Sequence, residues 1–105
     1  MDILKDIEKE TRNLLIADVR QLLEKIRQIF PKLVEKPGAS EETRLARQYA
    51  QNISSLAAMF SIAEIQEFGN SLDEGLQKAS KEEDYNGLIE KISEFEVFLD
   101  SQIPD

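Results

Sequence analysis

The sequence predicts an all-α protein, an antiparallel up-down-up-down four-helix bundle that forms a single domain over residues 1–105. Apolar residues recur at intervals of three and four along most of the chain, which is the pattern of amphipathic helices. Only three prolines and four glycines occur in the 105 residues, so long helices can form. Short polar segments separate four such stretches, and helices joined by short turns pack antiparallel.

The first stretch has an unusually wide apolar face. Its main stripe comprises Leu15, Val19, Leu22, Ile26, Ile29 and Leu33. Beside that stripe lies a second apolar row, here called the shoulder, made of Ile16, Leu23, Phe30 and Val34, and on the other side lie Ile3, Ile7 and Leu14. Such a helix either lies deep in its own bundle or buries the excess against a second copy, so a homodimer is one expectation.

Breaks in the apolar pattern predict where this helix begins and ends. If it ran unbroken through the N-terminal residues, Glu8 would fall on the apolar stripe, so we expect a bend or break at 11–13. The first turns could then form a short extra N-terminal helix. Pro31 and the Pro-Gly pair at 37–38 predict a linker over residues 31–39.

The second helix is predicted at 41–60, with Ser40 as its N-cap residue. Its core face is predicted to carry Leu45, Tyr49, Ile53, Leu56 and Phe60. Gln51 points away from that stripe. The outer face around Gln51 is small and polar, and comprises Arg44, Arg47, Gln48, Ser54, Ser55 and Ala58.

A tight turn is predicted after the second helix. Ser61 and Glu64 have the spacing of a capping box, and Phe60 and Ile65 stand at the positions of a hydrophobic staple. This pattern predicts that the second and third helices pack antiparallel.

The third helix is predicted at 62–79 and the fourth after Asp84 as its N-cap residue. The third helix directs Ile65, Phe68, Leu72, Leu76 and Ala79 inward, and the fourth directs Tyr85, Leu88, Ile92, Phe95 and Leu99 inward. Gly69 and Gly75 flank the stripe of the third helix. Glycine is unfavourable inside a helix, and close approach of a neighbouring helix is the usual compensation, so we interpret both as packing positions.

The composition disfavours several classes of function. Thirteen Lys and Arg against 21 Asp and Glu give a net charge of −8, which opposes binding to nucleic acid and to anionic membranes. The chain has no histidine and no cysteine, so it lacks the commonest general base, a thiol nucleophile and the commonest transition-metal ligands. It also lacks a glycine-rich phosphate loop, a signal-peptide pattern and a membrane-spanning apolar run. We therefore expect a cytoplasmic protein that is not an enzyme and that binds no metal or cofactor, no nucleic acid and no membrane.

The chain contains the run AQNISSLAAMFS from Ala50 to Ser61, and then Leu72-Asp73 and Asp84. This order of residues resembles the histidine-containing phosphotransfer (HPt) domain, the four-helix module of two-component phosphorelays. The motif of that family is approximately A-H-x-L-K-G-x-A-x-x-x-G, followed by a helix with a Leu-Glu pair and by another helix that opens with an acidic residue. The apolar skeleton matches over most of the chain. The chemical positions differ: the phosphorylated histidine is replaced by Gln51, the lysine by Ser54, and the two glycines by Ser55 and Ser61.

The resemblance implies a binding module that does not transfer phosphate. Phosphorelay requires an imidazole nitrogen that forms a labile phosphoramidate, and the amide of Gln51 is not a nucleophile near neutral pH. In the resembled family the helix face around the histidine docks on a receiver domain, whose acidic pocket favours basic groups nearby. The expected partner is therefore a response-regulator receiver domain or a histidine-kinase-like protein. The implied docking face comprises Arg44, Arg47, Gln48, Gln51, Ser54, Ser55 and Ala58.

The alternative is a structural or self-associating four-helix bundle with no phosphorelay role. In that case Arg44 and Arg47 pair with nearby acids such as Glu41, and Gln51 is merely solvated.

Overall fold

Four long helices form the described part of the chain. The computed structural model describes residues 9–101, with the backbone alone at Lys9 and Arg12. Helix α1 spans Lys9–Glu35, α2 spans Ser40–Met59, α3 spans Ala63–Lys78 and α4 spans Glu82–Ser101. Each helix contacts two others, in the cycle α1, α2, α3, α4 and back to α1, so the four enclose one core. The predicted all-α four-helix fold is confirmed. No helix within this range has the length and apolar character needed to cross a bilayer.

Helix α1 extends further than predicted at both ends. It is continuous through 11–13, so the expected break there is wrong, and the predicted short extra helix lies outside the described residues. No glycine or proline occurs at these positions, so the backbone hydrogen bonding of the helix is not interrupted. The helix also continues through Pro31, which shortens the predicted linker 31–39 to residues 36–39. Leu33 is fully buried, and this packing stabilises the turn after the proline.

The shoulder of α1 lies inside the single chain. Ile16, Leu23 and Phe30 are buried in the core, and Val34 is half-buried against it. Leu14, on the other side of the main stripe, is exposed. The shoulder is thus accounted for by contacts of α1 with both α2 and α4, whereas Ile3 and Ile7 lie outside the described residues. A homodimer stays a prediction, without the support that an exposed shoulder would give it.

Helix α2 buries a different strip from the predicted one. Ile53 is fully buried as expected, but the other large residues of the predicted stripe only flank the core and are half-buried: Leu45, Tyr49, Leu56 and Phe60. The centre of the buried strip consists of small residues, Ala46, Ala50, Ser54 and Ala57. Small residues bury little apolar area, but they allow another helix to approach closely, and here that helix is α3.

Gly69 of α3 lies at the point of closest approach. A Cβ atom at this position would lie 2.8 Å from the backbone nitrogen of Ser54 and 3.0 Å from the carbonyl oxygen of Ala50. At Gly75 a Cβ atom would lie 2.6 Å from Cδ2 of Leu88. Both glycines are therefore packing positions, as predicted.

The inward faces of α3 and α4 agree with the sequence pattern. Ile65, Leu72 and Leu76 of α3 are buried, and Phe68 and Ala79 are half-buried. All five residues predicted to point inward from α4 are buried, namely Tyr85, Leu88, Ile92, Phe95 and Leu99.

Tyr85 connects the loops at one end of the bundle. Its side chain is fully buried, and its ring contacts that of Phe30 edge-on, with the ring centroids 6.2 Å apart. The hydroxyl accepts a hydrogen bond from the backbone N–H of Gly38 at 2.9 Å. It also donates to the carbonyl oxygen of Ala79 at 3.4 Å. The α1–α2 loop and the α3–α4 loop are thus joined through one buried side chain.

The predicted serine caps are wrong. Helix α2 begins at Ser40 itself, after Ala39, and makes no side-chain cap hydrogen bond. Ser61 does not cap α3 either, because the residue before α3 is Ile62 and Ser61 closes the preceding helix. The N–H of Ser61 donates to the carbonyl of Ala58, and the N–H of Ile62 donates to the carbonyl of Ala57, which is the Schellman pattern at the end of α2. Ser61 takes the left-handed conformation that this pattern requires, with φ +56°.

Ser61→Gly is expected to raise the free energy of unfolding by about 0.5–1 kcal/mol, because glycine adopts positive φ without the Cβ penalty. Urea denaturation followed by circular dichroism measures this change. Ser55→Gly is the matched control, since Ser55 lies exposed within α2 and the change there should instead cost about 0.5 kcal/mol. A loss of stability in Ser61→Gly would contradict the left-handed assignment.

Asp84 stabilises the start of α4 from inside its first turn, and not from the N-cap position predicted. Its carboxylate accepts hydrogen bonds from the backbone N–H groups of Ser80 at 2.9 Å and Lys81 at 3.2 Å. The bond from Ser80 is the main cause of a pKa that lies below the usual value for Asp84. A side chain at the third helical position that accepts a hydrogen bond from the backbone before the helix forms half of a capping box.

This geometry predicts a pH-dependent contribution of Asp84 to stability. Because its pKa is lowered by folding, the contribution is present above the unfolded-state pKa and is lost as the pH falls through the folded-state value. In urea denaturation the unfolding midpoint of Asp84→Ala should therefore lie below that of the parent at pH 7, and the difference should shrink in strong acid. A difference that persists unchanged in strong acid would rule out the carboxylate as its source.

Candidate functional site

Gln51 lies in the middle of α2 on an exposed surface, as the sequence predicts. A shallow groove of about 530 Å³ runs along this surface from the α1–α2 loop to Gln51. Arg44, Arg47 and Gln48 line it together with Gln51. Four of the seven residues of the predicted docking face therefore share one concave surface.

A carboxylate of α3 joins two of these side chains. Arg47 donates from Nε to Oδ1 of Asp73 at 2.8 Å, and the ion pair is partly shielded from solvent. The side-chain amide nitrogen of Gln51 lies 3.4 Å from both carboxylate oxygens of Asp73. Arg47 and Gln51 are four residues apart, so they lie on adjacent turns of α2 and can contact the same residue. Their contacts with Asp73 hold both side chains on the α3 side of the groove.

The second arginine of the face is also paired. Arg44 contacts Glu41 of the same helix, with 3.3 Å between Nη2 and Oε1. Both side chains of this pair are largely exposed, so the pair adds little stability and can open to engage another carboxylate. The face is therefore not a patch of unpaired positive charge, and the electrostatic attraction expected from Arg44 and Arg47 is partly offset within the chain.

The remaining predicted residues lie in different environments. Ser54 is 9% exposed, which corrects its assignment to the outer face. It lies beneath Gly69, and its hydroxyl lies 3.3 Å from the carbonyl oxygen of Gln66 on α3. Ser55 is exposed on the side of α2 that faces α1, and Ala58 is exposed near the C-terminal end of the helix. Beyond Gln51 the exposed side chains of α2 include the small Ser55 and Ala58, but also Met59, which is 78% exposed, so this half of the surface is not flat.

Asp73 is the residue of this site that the sequence pattern does not single out. It enters the prediction only as the acidic member of the Leu72-Asp73 pair. A signal for it existed, because the resemblance puts an acidic residue at this position of the third helix. The pairing with Arg47 depends on the rotation of α2 about its axis, and the apolar stripe on α2 indicated a different rotation.

No protein-family model, curated protein or solved structure matches this chain.

The side chains of this surface offer hydrogen bonds and ion pairs. The groove offers two guanidinium groups and two carboxamides as hydrogen-bond donors, with Asp73 and the carboxamide oxygens as acceptors. The hydroxyl of Ser54 is buried under α3, and Ser55 has no histidine in the chain to act as its general base. Among residues 9–101, no three acidic side chains lie together in a way that could hold a metal ion.

Proposed function

We propose that this chain is a non-catalytic, cytoplasmic signalling module of the degenerate phosphotransfer (pseudo-HPt) type. It binds a response-regulator receiver domain, or a histidine-kinase-like partner, through the α2 face around Gln51 and transfers no phosphate. The observation that carries the proposal is the exposed groove in which Arg44, Arg47, Gln48 and Gln51 lie together on a four-helix bundle.

One feature of the backbone and one side-chain contact support the comparison with the phosphotransfer motif. The second glycine of that motif corresponds to Ser61, and Ser61 has φ +56°, a conformation that glycine adopts at no steric cost. The acidic residue of the Leu-Glu pair corresponds to Asp73, which lies beside Gln51. The position equivalent to the phosphoacceptor is therefore exposed, central and next to an acidic residue of α3.

The shape of the surface suits a receiver domain that docks with a helix. Ser55 and Ala58 of the C-terminal half of α2 are small, and the exposed side chain of Met59 beside them offers an apolar contact to an approaching helix. Arg44 is exposed and can exchange its contact with Glu41 for a carboxylate of the partner. Arg47 is held by Asp73 and contributes a fixed donor at the edge of the groove.

A purely structural bundle is the second candidate, and the ion pairs favour it. Arg47 bridges α2 and α3 through Asp73, and Arg44 pairs with Glu41, so both arginines have contacts within the fold. In that case the surface around Gln51 has no partner. The two candidates differ in whether charge reversal on this face changes binding to a receiver domain.

The test measures binding of the purified protein to a panel of receiver domains by biolayer interferometry. Arg44→Glu with Gln48→Glu is the informative variant, because both side chains are exposed in the groove and neither contacts Asp73. Gln28→Glu with Lys32→Glu on α1 is the matched control, with the same spacing, the same change in charge and the same exposure. We expect the groove variant to bind about tenfold more weakly than the parent, and the control to bind as the parent does.

The same samples test the absence of phosphotransfer. No radiolabel should appear on the parent protein when a receiver domain carrying radiolabelled phosphate is added, because the chain has no histidine to accept the phosphoryl group. The proposal fails if no receiver domain binds the parent at high micromolar concentration, or if the groove and control variants lose affinity equally.

A further inference from the structure

A second groove, wide and shallow, lies between α3 and α4. It has a volume of about 490 Å³ and is lined by residues 64–71 of α3 and 91–98 of α4. Each of these segments is two helical turns long, or about 10 Å. The backbones of α3 and α4 approach each other less closely than those of the other contacting helix pairs in the described chain, which leaves room for large side chains between them.

Aromatic rings form the floor of this groove. The ring of Phe68 stacks on that of Phe95 with 3.8 Å between centroids and 2° between planes. Phe98 continues the row, with its centroid 5.5 Å from that of Phe95. Phe95 is buried, whereas Phe68 and Phe98 are only half-buried and expose part of their rings to the groove. Three of the five phenylalanines of the chain are thus gathered at one surface.

The rim of the groove is acidic and unpaired. Glu64 and Glu67 of α3 and Glu94 of α4 line it, against a single cation, Lys91. Within residues 9–101 none of these four side chains makes an ion pair. Acidic residues elsewhere on the surface do pair, with Arg20, Arg27, Arg44 and Arg47. The groove therefore combines an apolar aromatic floor with uncompensated negative charge, in a chain of net charge −8.

We propose that this groove is a docking site for a basic amphipathic helix of a partner protein. Two turns of such a helix match the length of the groove, and apolar residues spaced three and four apart would contact Phe68 and Phe98. Lysine or arginine residues flanking that apolar row would pair with Glu64, Glu67 and Glu94, and could also lie over the exposed ring faces. This inference is independent of the proposed receiver-binding face around Gln51.

The charge of the groove argues against a second copy of this chain as the occupant. Any surface of a copy brings a molecule of net charge −8 against the acidic rim. A partner helix of opposite charge has no such cost. Its association should be faster and should weaken with added salt.

The test uses three fluorescein-labelled peptides of equal length and fluorescence anisotropy. The first has leucines at i, i+3, i+4 and i+7 with lysines elsewhere, the second replaces the lysines by glutamates, and the third replaces the leucines by serines. Only the leucine-lysine peptide should bind the 105-residue protein, since the groove requires both apolar and basic residues. Glu67→Gln with Glu94→Gln should weaken this binding about fivefold.

Glu24→Gln with Glu35→Gln on α1 is the matched control, because these exposed glutamates carry the same charge and lie away from the groove. Equal weakening by both double variants, or equal binding of the serine-lysine peptide, would show a general attraction to an acidic protein and would overturn the proposal. Sedimentation of the parent and of the Glu67→Gln, Glu94→Gln variant tests the remaining occupant. If the parent dimerises and the variant changes that dimerisation, the groove binds a second copy and the proposal is overturned.

Discussion

Tyr85→Ala is expected to lower the free energy of unfolding by about 3–5 kcal/mol, the range for removing a buried aromatic side chain. The side chain is fully buried, contacts the ring of Phe30, and joins Gly38 and Ala79 through its hydroxyl. The substitution removes the core contact and leaves the N–H of Gly38 without its acceptor. Urea denaturation monitored by circular dichroism measures the loss.

Tyr85→Phe separates the two contributions. It keeps the ring in the core and removes only the hydroxyl, so the expected cost is about 1–2 kcal/mol. If Tyr85→Ala were no more destabilising than Tyr85→Phe, the ring would not be part of the core. Tyr49→Ala should also cost less than Tyr85→Ala, because Tyr49 is half-buried at the edge of the core.

Gly69→Ala should lower the free energy of unfolding by about 2 kcal/mol, although alanine is the better helix former by about 1 kcal/mol. The new methyl group would lie 2.8 Å from the backbone nitrogen of Ser54, and backbone cannot rotate away as a side chain can. Helices α2 and α3 must therefore move apart. Thermal and urea denaturation measure the net effect.

Gly87→Ala is the matched control for this prediction. Gly87 lies within α4, and no atom lies within 4 Å of the Cβ position that the substitution would fill. Here the helix propensity acts alone, and the variant should be more stable by about 0.5–1 kcal/mol. Stabilisation by Gly69→Ala of similar size would contradict the close contact between α2 and α3.

The sequence predicts the inward face of α4 correctly because large residues alone define it. All five of its large inward residues are buried, and their spacing is compatible with only one rotation of α4 about its axis: Tyr85, Leu88, Ile92, Phe95 and Leu99. The same reasoning assigns the wrong rotation to α2. Large residues on α2 flank the core, while alanines and Ser54 occupy its centre, because the helix packs closely against Gly69 of α3. A contact between small residues has no strong signal in hydrophobicity.

The caps show a second limit of prediction from local sequence. Ser61 matches a capping box, yet the backbone uses it to end α2 in the left-handed conformation. Both arrangements satisfy helix-end hydrogen-bonding groups, and the packing of the two helices decides between them. Pro31 is similar, since the tertiary contacts of Leu33 outweigh the local tendency of proline to end a helix.

The candidate site could be predicted in part. Gln51 is exposed as the helical periodicity requires, and Arg44 and Arg47 lie beside it. Of the ion-pair partners of the two arginines, only that of Arg44 could be predicted from the sequence. Glu41 is a neighbour on the same helix and follows from spacing, whereas Asp73 belongs to another helix and depends on the rotation of α2.

The most direct test of the docking face is a nuclear magnetic resonance titration. The ¹⁵N-labelled protein is titrated with the unlabelled receiver domain that binds it most tightly, and amide shift changes are mapped on the bundle. Receiver docking predicts changes concentrated at Arg44, Arg47, Gln48 and Gln51 and at Asp73, with α1 and the α3–α4 groove unaffected. Changes confined to other surfaces, or no change with any receiver domain of the panel, would contradict a docking function for this face.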